Sequence, residues 1–509
     1  METKYRLLFG LGGSEFACLV YNTHMAGRET LAPQVASFLN KSDRITNRFE
    51  VPRRENLPSE LVSVAETVAS ISSSWNPVEI YTAEGKSREQ EKQKFLQAFD
   101  RGEVHNPTFT YSHAELLNLG NSRERLEEQL ATVRKFKPQD RVTRLARAAL
   151  YFKIKDDLAT ADLVAGIQSR DDKKNARALK QKYLGTDPAL MQLAEEIYAK
   201  LTYEGVADEQ EGQGLLSSDE KEYLRGKTYD AQDIKEAYEF ILSRYGILRT
   251  DGNSHGFKVK IDPDASSVDV RDKASEPMTV YIPHDRKMNG ITLLTTSAHE
   301  IEGHAIQGVS GLELFGIGGG PLRIDDEQLY EGYGLRRETE MKKKLLGVED
   351  VGPRPFYPLA VKMAEEGGSF YEIFSDQLRR HLRVALRKPT DEELPQPDAI
   401  NPRTLETAKN NAWLVTYRVM RGHIDMSNKE GYAMAKDLGY MRGFQMDSQL
   451  QDHGHGHINE SGIIAPKALQ IIAELNLSAD SLPLPFIDAT TAYWQEVLKP
   501  SMLKEQSTP

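Results

Sequence analysis

Residues 297–304 read Ser-Ala-His-Glu-Ile-Glu-Gly-His, and the five-residue step from His299 to His304 constrains the local fold more than any other feature. The surrounding pattern is helical: Ile291, Leu294, Ala298, Ile301 and Ala305 recur at three- and four-residue intervals, and no proline falls between Met288 and Gly320. Asn289 suits the cap position at its start. On a regular helix, residues four apart diverge by about 40° around the axis but residues five apart by about 140°. His299 and His304 therefore share a face only if the helix contains one wide i→i+5 turn, a π-bulge, and Gly303 stands where backbone permissiveness eases that distortion. Glu300 and His304, four apart, offer a competing pair that needs no bulge. Two histidines bracketing a glutamate, with a further carboxylate on a second helix, form a set that can hold zinc and leave one position open for water.

A second helix is expected from residues 325–327, whose acidic side chains suit a helix N-terminus, through Glu331 to about Leu346. Glu331 lies 27 residues beyond His304. Glu327 and Glu338 share roughly its face, so periodicity alone leaves three candidates for a third ligand. The intervening run Phe315-Gly-Ile-Gly-Gly-Gly-Pro321 has no lysine in P-loop register and does not pass from strand to helix, which argues for a flexible connection and against a nucleotide site.

Several motifs, in order, resemble the MATCAP-type tyrosine carboxypeptidases, described in bacteria as QEGLA-motif proteins. Asn106-Pro-Thr-Phe-Thr-Tyr111 is similar to an early Asn-Pro-x-Phe-x-Tyr element. The string from His299 to His304, followed by Gly308-Val309, resembles the metal helix, and Tyr330-Glu-Gly-Tyr-Gly334 stands in the place of Glu-Gly-Leu-Ala. Arg418-x-x-Arg421-Gly422 and Lys436-Asp437-x-x-Tyr440-x-x-Gly443 resemble a late basic signature. Together these span residues 100–445.

The resemblance implies an α+β, predominantly helical chain with a zincin-like, gluzincin-type catalytic domain and a small β-sheet before the metal helix. It implies a zinc metallocarboxypeptidase holding one Zn2+ per chain through His299, His304 and Glu331, with Glu300 as general base and acid. Two departures flank the metal: Glu302 occupies the usual glycine position, with the glycine moved to Gly303, and Leu-Ala has become Tyr333-Gly334. A carboxypeptidase must recognise a free C-terminal carboxylate. Arg418, Arg421 and Lys436 are the candidates, with Tyr440 as a further substrate contact or an oxyanion donor. The alternatives are a zinc endopeptidase or aminopeptidase, or a non-catalytic helical binding protein with a structural metal site.

Around this centre, residues 1–95 read as an accessory region of unassigned role, with an amphipathic helix at 59–72 and a charged, exposed stretch at 84–92. Residues 96–509 read as the metallopeptidase domain, with a helical subregion at 114–245 and a catalytic core at about 250–460. Expected helices include 121–136, 141–155 and 230–245, and 212–218 and 389–402 are expected loops. Residues 256–261, 267–270 and 278–282 alternate as strands. The last is the expected edge to which a substrate backbone would add by strand pairing. His453-Gly-His-Gly-His457 reads as a solvated loop and not a second metal site.

A single cysteine, Cys18, excludes a disulfide framework or multi-cysteine zinc site and fits a reducing compartment. A net charge of −11 argues against broad nucleic-acid or anionic-membrane binding. No apolar run reaches the ~20 residues needed to span a bilayer. The mildly apolar start reads as a strand or turn and not a signal peptide, which makes a cytoplasmic location the default. The implied partner is a peptide or protein C-terminus, with no nucleic acid and no membrane.

Overall fold

In the computed structural model the described residues are 35, 57–72, 75, 80–204, 214–250, 256–263, 265, 268–271, 278–315, 328–348, 354–460, 484 and 486–506. They form a predominantly helical protein with a small sheet. The glycine-rich run at 316–321, the acidic residues 325–327 (Glu327 among them), most of residues 1–56 and part of the 212–218 loop lie outside the described residues.

The amino-terminal helices are α1 (Ser59–Ser72), α2 (Gly85–Asp100), α3 (Ser112–Leu116), α4 (Ser122–Lys135), α5 (Arg141–Ser169), α6 (Asp172–Lys182), α7 (Pro188–Glu204) and α8 (Ser218–Gly226). Their starts are chemically marked. Asp140 accepts from the Thr143 amide while the Thr143 hydroxyl accepts from the Asp140 amide, and Ser217 and Glu220 cap α8 in the same reciprocal way. The charged 84–92 stretch forms the cap and first half of α2, partly exposed, and the helix turns Phe95 and Ala98 inward.

Next come β1 (Thr228–Tyr229), α9 (Ala231–Arg244), β2 (Lys258–Asp262), β3 (Asp269–Arg271), β4 (Thr279–Pro283) and β5 (Met288–Asn289). The three-stranded sheet runs β2-β4-β3, with β2 parallel and β3 antiparallel to β4. The expected edge strand is therefore the central one. Val280 and Ile282 are fully buried, and β4 has a partner on both sides, so no substrate backbone can add there. Its near-continuous apolar sequence is that of a strand covered on both faces, whereas β2 alternates exposed and buried residues as an edge does.

β1 pairs antiparallel with β5, and β5 ends on Asn289, whose side chain accepts from the Thr292 amide at 2.8 Å. That cap starts a continuous helix made of α10 (Gly290–Ser297), a π segment, π1 (Ala298–Ala305), and α11 (Ile306–Phe315). Thereafter come α12 (Gln328–Leu346), α13 (Phe356–Glu365), α14 (Phe370–Leu386), α15 (Pro402–Val419), α16 (Leu438–Asp452), α17 (Ala489–Tyr493) and α18 (Lys499–Gln506).

Two apolar clusters hold these elements. One joins α1, α2 and α4–α7 to α13–α15, with Phe95, Phe370, Phe374 and Trp413 at its centre. The other joins α8–α10, the sheet, π1 and α12 to the carboxy-terminal helices through Tyr238, Phe257, Val280, Ile301, Leu345 and Trp494. Leu438 and Met441 of α16 belong to the first cluster, and α16 packs directly on α12. The π segment, α12 and α16 thus meet where the two clusters join.

Candidate metal centre

The wide turn demanded by the histidine spacing is present, since Ala298–Ala305 is π-helical within an otherwise regular helix. It brings the two rings to 4.7 Å between centroids, nearly perpendicular at 88°. Across from them, the first turn of α12 supplies Glu331. Its Oε2 lies 3.6 Å from His299 Nε2 and 3.7 Å from His304 Nε2. These separations exceed the ~2.7–3.2 Å of a hydrogen bond. They approach the ~3.4 Å between tetrahedral ligand atoms that each stand ~2.1 Å from one ion. Among the described residues these three form the one such metal-capable group, with ligand atoms all within 4.8 Å of one another. Two imidazoles and a carboxylate, largely buried, fit a divalent cation, which would displace any proton from the ligand nitrogens. The His453–His457 tract joins no such group; His453 lies exposed at the end of α16, where its Nδ1 meets the Gln449 carbonyl at 2.8 Å.

The other candidate ligands separate cleanly. Glu338, two turns along α12, faces the opposite nitrogen of His299, with Oε2 at 3.4 Å from Nδ1, and its Oε1 is 2.8 Å from Lys342 Nζ. It stands behind the ring and not beside Glu331. Electrostatics follow this layout. Burial opposes charge on His299, but Glu331 and Glu338 outweigh it and raise the imidazole to about 10. Burial lowers His304, with Glu331 opposing. Burial would raise Glu331, yet the two histidines hold it well below the usual carboxylate range.

Glycines let the helices come this close. A Cβ on Gly334 would stand 2.8 Å from His304 Cε1 and 2.9 Å from His299 Nε2, and one on Gly303 would stand 2.9 Å from the Gly334 Cα. On the other side of α12, a Cβ on Gly332 would collide with the backbone of Gly443 in α16. Gly303 therefore serves close approach and adopts ordinary helical dihedrals, since it is not among the positive-φ residues. Tyr330 stacks on His304 with centroids 3.6 Å apart, closing the site from that side.

Glu302 points the other way. Fully buried, it accepts from the Thr490 amide at 3.0 Å and the Tyr245 hydroxyl at 3.3 Å, and lies 3.7 Å from Arg337. Burial raises its pKa against the pull of Arg337. Its place in the motif is a packing matter on the face away from the three candidate ligands.

Glu300 lies between the histidines in sequence and is half-buried. The Tyr238 hydroxyl is fully buried without a hydrogen-bond partner, and burial first and Glu300 second raise its pKa well above the phenol range. Tyr440 lies in α16, which packs on α12, and the charge of Glu331 first and burial second raise its phenol well above the usual range. Lys436, half-buried on the turn before α16, also acts on Tyr440.

The two arginines are committed elsewhere. Arg418 donates through Nε and Nη2 to both carboxylate oxygens of buried Asp437 and through Nη1 to the Tyr357 hydroxyl at 3.3 Å. Arg421 donates to Asp437 at 3.3 Å and lies over the Tyr81 ring. The early motif holds this corner in place. The Tyr111 hydroxyl donates to the His423 carbonyl at 3.0 Å and accepts from the Gly422 amide at 3.1 Å, at a turn where Gly422 has a φ of 78°.

Sequence reading did not find Tyr238, which sits in an ordinary-looking string, and it quoted Asp437 in the late signature without a role; the packing of α9 against π1 and the bonds of Asp437 to Arg418 and Arg421 give them a place. Comparison with protein-family models finds no match to this chain, and comparison with curated proteins finds none. Among the described residues no helix is long and apolar enough to cross a membrane.

Proposed function

We propose that this chain is a zinc-dependent metallocarboxypeptidase with a zincin-like, gluzincin-type catalytic centre. The observation that carries the reading is the convergence of His299, His304 and Glu331 on one point, with Glu300 beside His299 on the same π segment. Nitrogen and carboxylate donors in a set of three suit a catalytic zinc, which keeps a fourth position open. Bound there, zinc would supply a Lewis acid and a water of lowered pKa. Glu300 would take a proton from that water and return it to the leaving amine. Tyr440, kept protonated by the charge of Glu331, would donate a hydrogen bond to the oxygen that gains charge on the substrate carbonyl. Lys436, on the turn before α16, is the further cation of the late basic signature, and it would meet the substrate's carboxylate.

A second reading, an endopeptidase using the same chemistry, is favoured by the commitment of Arg418 and Arg421 to Asp437. The test is mass spectrometry of a peptide library carrying all twenty C-terminal residues, incubated with zinc-loaded protein and with Glu300→Gln. Loss of single C-terminal residues by the wild type alone supports the carboxypeptidase. Internal cuts that depend on Glu300 support the endopeptidase. Absence of any Glu300-dependent cleavage overturns both.

A further inference from the structure

A metal-bound histidine is fixed in tautomer and orientation by whatever its second ring nitrogen meets, and that outer partner commonly tunes affinity. On α12, Glu331, Glu338 and Lys342 are separated by seven and then four residues, so at about 100° per residue they lie along one face. Glu331 meets the Nε2 side of His299 and Glu338 the Nδ1 side, at 3.6 and 3.4 Å. One helix therefore grips both edges of a single imidazole.

We propose that Glu338 is the outer-sphere carboxylate of the metal centre, a positioning residue that faces the buried, unbonded His299 Nδ1 at 3.4 Å, accepts its hydrogen once Nε2 holds the ion, and is itself tethered by Lys342. The tether gives Glu338 its direction: Lys342 Nζ at 2.8 Å engages Oε1, so Oε2 is the oxygen turned to the ring. Glu338 is a quarter exposed by its side chain, against a sixth for Glu331. It is a second carboxylate that supports the ring without entering the ligand set. Among the described residues no ion pair is found at His304 Nδ1: that atom, like His299 Nδ1, is buried without a hydrogen bond, and one turn on Gln307 is a neutral amide that donates to the Asn459 carbonyl at 2.5 Å. The carboxylate faces His299, the histidine next to Glu300.

This inference rests on the metal reading above, and the experiment separates the two. Zinc affinity of the full chain is measured by competition with a chromophoric chelator for the wild type, Glu331→Gln, Glu338→Ala and the isosteric Glu338→Gln. Cobalt absorption reports ligand number, and thermal unfolding confirms the fold. Glu338→Ala is expected to weaken zinc by roughly 10–100-fold, with cobalt band intensities unchanged. Glu338→Gln, whose amide oxygen still accepts from Nδ1, is expected to lose less. Should Glu338→Ala fail to fold, Glu338→Gln carries the test through a measurable loss smaller than that of Glu331→Gln. Zinc affinity within twofold of wild type in both Glu338 variants overturns the outer-sphere role and leaves the metal centre intact. A loss equal to that of Glu331→Gln with altered cobalt bands makes Glu338 an inner ligand and also overturns it. A wild-type chain that takes up no zinc overturns the metal reading itself.

Discussion

Gly334→Ala sets two lines of reasoning against each other. The resemblance places alanine at this position, so by resemblance the substitution restores a family residue and should be harmless. The structure says otherwise. The new methyl carbon would stand 2.8 Å from His304 Cε1, 2.9 Å from His299 Nε2 and 3.1 Å from His299 Cδ2. The two nearest contacts are about 0.6–0.7 Å short of the ~3.5 Å at which carbon contacts become favourable. Retreat is blocked on each side. His304 is stacked on Tyr330 at 3.6 Å, His299 has Glu338 behind it at 3.4 Å, and α12 cannot lift because Gly332 already meets the Gly443 backbone. Overpacking of this kind costs about 1–3 kcal/mol. Displaced imidazoles would also leave the ~0.2 Å tolerance of a metal site. Charged against metal binding, the same energy corresponds to a loss of roughly 5–150-fold in affinity, since each 1.4 kcal/mol is about tenfold. The assay is chelator competition paired with urea unfolding of the metal-free protein. Zinc affinity within twofold of wild type, with unchanged unfolding midpoint, would refute the steric reasoning.

Three further outcomes follow from the packing. Glu302→Ala removes the acceptor of the Thr490 amide and the Tyr245 hydroxyl, and should cost about 3 kcal/mol in urea unfolding while also weakening metal binding. Asp437→Asn leaves the Arg418 and Arg421 guanidiniums without their shared carboxylate and should cost about 3–5 kcal/mol, read as a lower denaturant midpoint. Burial first and Arg354 second lower His381 to about 4, and its ring stacks on Phe356 at 3.9 Å. A depressed histidine pKa adds stability that is whole above about pH 6.5 and lost as pH falls through 4. Unfolding free energy should therefore drop between pH 7 and pH 4 by up to about 3 kcal/mol more in wild type than in His381→Phe.

What the chain reveals to a reader depends on how far apart the interacting residues lie. The α1 span, the Asn289 cap, the π turn and the end of α12 at Leu346 all follow from neighbours within a turn or two. The order β2-β4-β3 does not. Three short alternating segments carry no label saying which sits in the middle, and only the full burial of Val280 and Ile282 marks β4. The arginines show the same limit. Their three-residue spacing suggests one side of a helix, but α15 ends at Val419 and Arg421 lies in the turn beyond; their partner Asp437 lies 19 residues from Arg418, and nothing local distinguishes a substrate-facing guanidinium from one held by a buried aspartate. Gly332 reads as a motif match and Gly334 as a mere departure from it until α16 and π1 are seen pressing on opposite sides of α12.

The π segment ties these observations together. A stretch of i→i+5 helix is a costly conformation that persists only where its surroundings over-determine it. Here α12 holds both faces. Glu331 stands opposite the two histidines, and Arg337, less than two turns on, reaches Glu302 on the reverse side at 3.7 Å. Thr490 and Tyr245 add the remaining bonds to Glu302 from α17 and the end of α9. If the segment relaxed to regular helix, His299 and His304 would part by about 140° around the axis, and Glu302 would swing out of its buried bonds with them. Loss of the ligand geometry and loss of the Glu302 anchor are then one event. This is why Glu302, on the face away from the three candidate ligands, bears on whether an ion can be held at all.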